Sequence, residues 1–276
     1  MRALLIPLFA LAACSGRETT ADEVLERSAP ADPQNPLAAR GTSLQATANR
    51  QALSAREAAR ARPEDADAQV AAARSLFVAA DLELRRGLLA DLDRDPAENA
   101  DQLLDREDDL PGELKARIVA LCDEGAGFAS AAIALDGERP DARFFYAACL
   151  GLSAWGKGPT AALLQGLAPK VRRAIDDAVV ADPSFGNGAP LRARGAFYAR
   201  APWPVGDWAK AREALRRAPR NAMTHLYLAE LYWRTGDRKS ALSHWRQVET
   251  AEPDTLSPSG PFVREFARRA VALSAE

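Results

Sequence analysis

From Pro36 onward the apolar residues recur at helical spacing, and no stretch alternates as a half-buried strand requires. Val70, Ala73, Phe77, Ala80 and Leu84 advance by three, four, three and four, which paints one face of a helix. Leu114, Ile118, Leu121, Phe128, Ala132 and Leu135 do the same over a longer stretch. Asp-Pro, Gly-Asp and Gly-Asn pairs punctuate these runs, stopping one helix and starting the next. Composition agrees: hydrophobic residues reach 47% while aromatic ones are only 7%, and alanine is very frequent. Small apolar side chains in that proportion suit closely packed helices better than strands. The expected fold is all-α.

An internal repeat is the sharpest signal within that pattern. The 34 residues from Ala222 to Thr255 carry Leu228 and Ala229, then Tyr232, Gly236-Asp237, Ala241, Trp245, Val248 and Pro253. Leu228 and Tyr232 face inward from a first helix, and Gly236 permits a tight turn. Ala241 lets a second helix approach closely, Trp245 fills the remaining gap, and Pro253 ends the helix. This series resembles the tetratricopeptide repeat, which implies a right-handed α-solenoid of helix pairs. Upstream copies are more degenerate. One runs through Leu191, Gly195, Tyr198, Gly206-Asp207, Ala211 and Leu215. Another opens at Tyr146 and closes at Asp182-Pro183, after an insertion around Gly156 to Pro169. Pro261 to Ser274, with Phe262, Phe266 and Ala270 on one side, reads as a capping helix over the last repeat.

The N-terminus reads as an address. Residues 3–13 form an uncharged run, too short to span a bilayer of ~30 Å and of the length of a signal-peptide core. Leu11-Ala12-Ala13-Cys14 resembles the bacterial lipoprotein box, which implies cleavage after Ala13 and a diacylglyceryl and acyl lipid on Cys14. Ser15 rather than Asp implies outer-membrane delivery, with the chain facing the periplasm. The expected organisation is a signal peptide over 1–13, a flexible tether over 14–36 and a helical repeat domain over 37–276. Export would leave Cys122 and Cys149 in an oxidising space, where a disulfide persists. Cys122 begins a second helix and Cys149 lies late in the next first helix, so a bond and a pair of buried thiols both remain open.

The order of motifs resembles one family more closely. Leu163 to Val171, then Asp182-Pro183-Ser184-Phe185-Gly186-Asn187-Gly188-Ala189-Pro190-Leu191-Arg192, then Tyr198, Ala201-Pro202 and Gly206-Asp207, precede Leu226-Tyr227-Leu228-Ala229-Glu230. This arrangement resembles the T-component family of TRAP transporters, periplasmic lipoproteins of tetratricopeptide-like helices. The resemblance implies a noncatalytic protein that works beside a periplasmic solute-binding protein, often as an oligomer. In the repeat fold certain first-helix positions face a concave groove; here they are Met223, Leu226, Glu230, Trp233 and Arg234, with Arg192 and Arg200 in the preceding copy. Arginines beside an exposed tryptophan have the composition of an interface hot spot.

Other chemistries find little support. A formal net charge of −2 gives no electrostatic reason to bind nucleic acid or an anionic membrane, so the membrane is met only through the lipid. Gly151 to Gly158 approaches a phosphate-binding loop, but Gly158 stands where magnesium needs Ser or Thr. Asp91 to Asp95 opens like a calcium loop, yet Pro96 replaces its obligatory glycine and Gln102 its closing glutamate. Residues 91–112 hold nine acids against Arg94 and Arg106, a net −7, and read as a solvated acidic insertion with helical character near Glu98 to Leu104. His225 and His244 lack a third ligand at useful spacing, so their expected role is structural, and no metal or other cofactor is expected. Two readings stand beside the protein-binding one: a carrier of a small apolar ligand enclosed by aromatics, and a general envelope-assembly scaffold.

The lipoprotein box generates a direct test. Cys14→Ala should release the protein from membranes into the soluble fraction, and the intact protein should carry a lipid mass on its first residue. Unchanged fractionation, with no lipid mass on the parent chain, defeats the assignment.

Overall fold

The computed structural model describes residues 19–26, 36–201, 204–252 and 257–274. The signal peptide, Cys14, Trp203 and Pro253 lie outside the described residues. Among those described, every regular element is a helix: α1 (Ala21–Glu26), α2 (Pro36–Ala61), α3 (Ala66–Arg94), α4 (Ala100–Asp105), α5 (Gly112–Leu135), α6 (Pro140–Leu164), α7 (Leu167–Ala181), α8 (Phe185–Arg200), α9 (Trp208–Arg217), α10 (Ala222–Arg234), α11 (Arg238–Thr250) and α12 (Gly260–Leu273).

Side-chain caps set many of the starts. Asp65 accepts from the Ala68 amide, Asn99 from Gln102, Asp207 from Ala209 and Lys210, Asn221 from Thr224 and Asp237 from Ser240. Each satisfies an amide that the first helical turn leaves without a partner. The insertion around 156–169 is largely helical. α6 runs to Leu164 through a kink at Gly158 (φ 81°), followed by Pro159, and α7 resumes at Leu167. Proline removes one ladder bond and the left-handed glycine turns the axis, so the helix bends without a loop.

Packing follows chain order. Successive helices from α2 to α3, α5 to α8 and α10 to α12 lie against each other, with α3 also meeting α6. Contacts of α3 with α5 run antiparallel: Gly87 meets Leu114, Glu83 pairs with Arg117, and Leu76 approaches Gly125. A Cβ on Gly87 would collide with the Leu114 side chain, which sits directly on the α3 backbone there. Between α5 and α6, Cys122 and Cys149 are fully buried, unbonded, and hydrogen-bonded to each other. Burial pushes the Cys122 thiol well up from its usual range.

Two features depart from the expected organisation. Residues 21–26, assigned above to a flexible tether, form α1, which docks on α5 and α2 through the buried Val24 and Leu25. Asp22 pairs with Arg56 at 2.8 Å, and Asn49 donates to the Leu25 carbonyl. Ala21, Val24 and Leu25 share one side of a short helix, a pattern too brief to stand out against polar neighbours. The final helix α12 also does more than cover α11. It returns to α3 and α4, with Phe262 against Gly41 of α2 and Arg269 paired to Asp93. One apolar core therefore includes Leu76, Leu88 and Leu121 from the early helices and Leu226, Trp245 and Phe266 from the late ones.

Within the α10–α11 pair, Leu228, Ala229, Ala241, Trp245 and Val248 are all buried, as the repeat spacing requires. The Trp245 ring lies 5.1 Å from that of Trp233. Trp245→Ala should cost about 3–5 kcal/mol through the cavity it leaves. Urea melts of the variant check this; a loss below about 1 kcal/mol would place Trp245 outside the core.

Candidate functional site

The sequence-predicted groove residues come from α8 and α10, and the acidic segment between α3 and α5 lies across them. Arg200, at the end of α8, donates to Glu107 Oε1 at 2.6 Å and to Glu230 Oε2 of α10 at 2.8 Å. On its other side Glu107 faces Arg85 of α3 at 3.7 Å, and Arg85 lies 3.6 Å from Asp81. Ser257, ahead of α12, donates to Asp81 at 2.5 Å. Tyr227 presents its ring to the Arg200 guanidinium at 5.7 Å. The chain of charges thus joins α3, the acidic segment, α8 and α10.

Electrostatics fix the protonation states. Burial alone would raise the Glu107 carboxyl, but the charges of Arg200 and Arg85 outweigh it and hold the group below the usual carboxylate range. Burial opposes the charge on Arg200 too, and Glu107 with Glu230 more than restores it. Burial pushes the Tyr227 hydroxyl up, against the pull of Arg85 and Arg200. Every charge in the group has a partner of opposite sign, which is the condition for keeping charges away from water.

Toward the far end of α10 the contact becomes amphipathic. The Trp233 indole N–H donates to Asp101 Oδ1 at 2.7 Å, and the Arg238 guanidinium stacks 3.5 Å from the Trp233 ring centroid. Arg234 reaches Asp105 at 3.4 Å and the Leu104 carbonyl at 3.4 Å. Between these polar links Ala100, Leu103 and Leu104 of α4 are buried. At the segment's other edge Asp108 accepts from the Trp155 indole and, through its carbonyl, from Lys115.

These positions correct several expectations. Trp233, assigned to an open groove, is only 9% exposed and is packed under α4 on Trp245. Leu226 is fully buried, and Met223 and Glu230 nearly so. The spacing of the repeat turns them away from the helix-pair core, but it takes no account of the returning α12 and the acidic segment, which lie against α10. Arg234 is exposed and keeps its place at the rim. Arg192 does not join the group. Its guanidinium donates to the Asn187 and Gly186 carbonyls, and so holds the left-handed turn of Gly186, Asn187 and Gly188 at the start of α8. The acidic segment is not simply solvated, because Leu103, Leu104, Glu107 and Leu110 are buried.

Asp101, Glu107, Arg85 and Arg238 are the members that sequence reasoning missed. Part of their signal was available, a Leu-Leu pair between Asp101 and Asp105, one turn apart, in the most acidic stretch; only the fold sets Arg234 and Arg238 opposite it. His225 and His244 also meet, Nδ1 to Nδ1 at 2.9 Å, with Tyr232 stacked on His244. Burial, then the neighbouring charges of His225 and Arg220, lower His244 to about 4, so both rings are neutral at pH 7 and one donates to the other. No group of three or more metal-ligating side chains occurs among the described residues.

Glu107 carries a quantitative prediction. Glu107→Gln leaves Arg85 and Arg200 facing a neutral amide and should cost about 2–3 kcal/mol at pH 7. Because its folded pKa lies below the unfolded value, the carboxylate's contribution is complete above pH ~4.5 and is lost as pH falls through the lowered value. The variant's stability should therefore fall less steeply than the parent's below pH ~4.5, measured by denaturant melts across that range. No family model matches the chain, and no curated protein matches it.

Proposed function

We propose that this chain is a noncatalytic envelope lipoprotein that binds a protein partner. Its helix pairs form a tetratricopeptide-like solenoid anchored through Cys14 and facing the periplasm. It serves, like the T-component family it resembles, beside a solute-binding protein of a TRAP-type uptake system. The observation that carries this reading is the composition of the α8–α10 face. Trp233, Tyr227, Arg200, Arg234 and Arg238 cluster there around a buried centre and a charged rim. Aromatic and arginine side chains so arranged are what protein interfaces concentrate at their hot spots. The α10–α11 pair supports the repeat assignment, since Ala229 and Ala241 are fully buried and Gly236 takes the left-handed turn between the helices (φ 84°).

A second reading, carriage of a small ligand, is favoured by a cleft of about 780 Å3 between α2 and α3. Leu44, Ala48, Val70 and Val78 line it, with Arg74 at its edge. Its volume suits a small molecule. Native mass spectrometry of the purified protein separates this reading from the first by the presence of a retained ligand.

Crosslinking in intact cells, followed by pull-down through the chain and mass spectrometry, tests the protein-binding reading. A periplasmic solute-binding protein or its permease should be enriched at least tenfold over an unrelated lipoprotein control. Recovery of no protein above that control overturns it.

A further inference from the structure

The acidic segment shows what its covered face takes. Residues 95–110 leave the α3–α5 hairpin after α3, cross the α8–α10 face and return at Pro111. The hairpin itself is closed below them by Gly87 against Leu114 and by Glu83 with Arg117. Pro96 and Pro111 bracket the excursion. The segment is thus an excursion between two helices that also pack directly on each other. Its helix, α4, has only six residues and could not persist unaided. What holds it is Leu103 and Leu104 in the common core, Asp101 on Trp233 and Asp105 on Arg234 of α10, and Glu107 between two arginines.

The kind of contact matters as much as its extent. A segment meant only to complete a core would be held as well or better by apolar side chains, because burying paired charges seldom adds stability over a hydrophobic replacement. A face rich in arginine and glutamate, by contrast, stays compatible with water when uncovered, which a large apolar patch does not. We propose that residues 95–110 are an internal pseudo-ligand. The α8–α10 face they cover is the docking surface for an acidic amphipathic helix on a partner protein, one with adjacent leucines flanked by carboxylates a turn apart. The partner displaces the segment to bind. This rests on the protein-binding reading above and names the chemistry of the partner. A tethered segment competes at an effective concentration of about millimolar, so the intact chain binds such a helix more weakly than the uncovered face does.

The probe is a fluorescein-labelled peptide with the sequence of residues 95–110. It is titrated into the full chain and into a full chain whose residues 96–109 are replaced by a Gly-Ser linker of about six residues. The linker variant should bind at least tenfold more tightly than the parent, and Arg200→Glu within that variant should abolish binding. Hydrogen exchange on the parent gives an independent measure: amides of residues 100–107 should exchange at least tenfold faster than those of α10 and α3. Equal protection of α4 and α10 overturns the proposal. So does a folded linker variant that ignores the peptide, or one that does not fold, since a face that exists only with its segment is no docking surface. Equal partner recovery by both chains in the pull-down leaves the protein-binding reading standing but removes this face from it. Peptide binding without any cellular partner keeps the docking surface and removes that reading.

Discussion

Two arginines more than a hundred residues apart in the chain, Arg85 on α3 and Arg200 on α8, converge on one carboxylate, Glu107. That convergence ties the acidic segment to early and late helices at once. Without Glu107 the buried Arg85 would keep only Asp81, at 3.6 Å, whereas Arg200, a third exposed, would keep Glu230 and water. With Glu107 between them, and Glu230 and Asp81 completing the pairs, early and late helices close over a common apolar core. The segment that delivers Glu107 is therefore tied to α3 and α8 by its charge, to α10 by Asp101 and Asp105, and to the common core by its leucines.

Much of the helical architecture was legible because it rests on local rules. The three-four spacing of Val70 to Leu84 names the buried face of α3, and the residues from Leu114 to Ala132 do so for α5. Asn and Asp caps mark the starts of α9, α10 and α11 in a way that needs no tertiary information. The small residues of the 222–255 repeat likewise predict which side chains are buried between α10 and α11. What was not legible is what crosses long distances in sequence. Trp233 reads as exposed from its own helix and is covered by Asp101 of α4 and Arg238 of α11. The segment from Asp91 to Gly112 reads as solvated because a charge count outweighs four leucines, although all four are buried. Arg192 reads as a groove residue from its spacing. The left-handed turn at Gly186 to Gly188, which needs its guanidinium, cannot be inferred from periodicity.

The return of α12 departs from what a simple array of stacked helix pairs implies. Stacked helix pairs ordinarily touch only their neighbours, so stability accumulates locally along the array. In this chain Arg269 pairs with Asp93, Ser257 with Asp81, and Phe262 lies against Gly41. These contacts link residues separated by most of the chain's length. Their loss would be felt at both ends of the molecule, so early and late helices should unfold together rather than one pair at a time.

The two cysteines illustrate a different consequence of close packing. Cys122 and Cys149 face each other with no solvent-exposed surface, sealed between α5 and α6. An oxidant or reductant reaches them only when those helices separate, because exchange proceeds by direct attack of a thiolate on sulfur. Their redox state is consequently written during folding and preserved afterwards by the barrier to opening. A pair enclosed as free thiols, as here, therefore stays reduced for as long as α5 and α6 remain closed on each other.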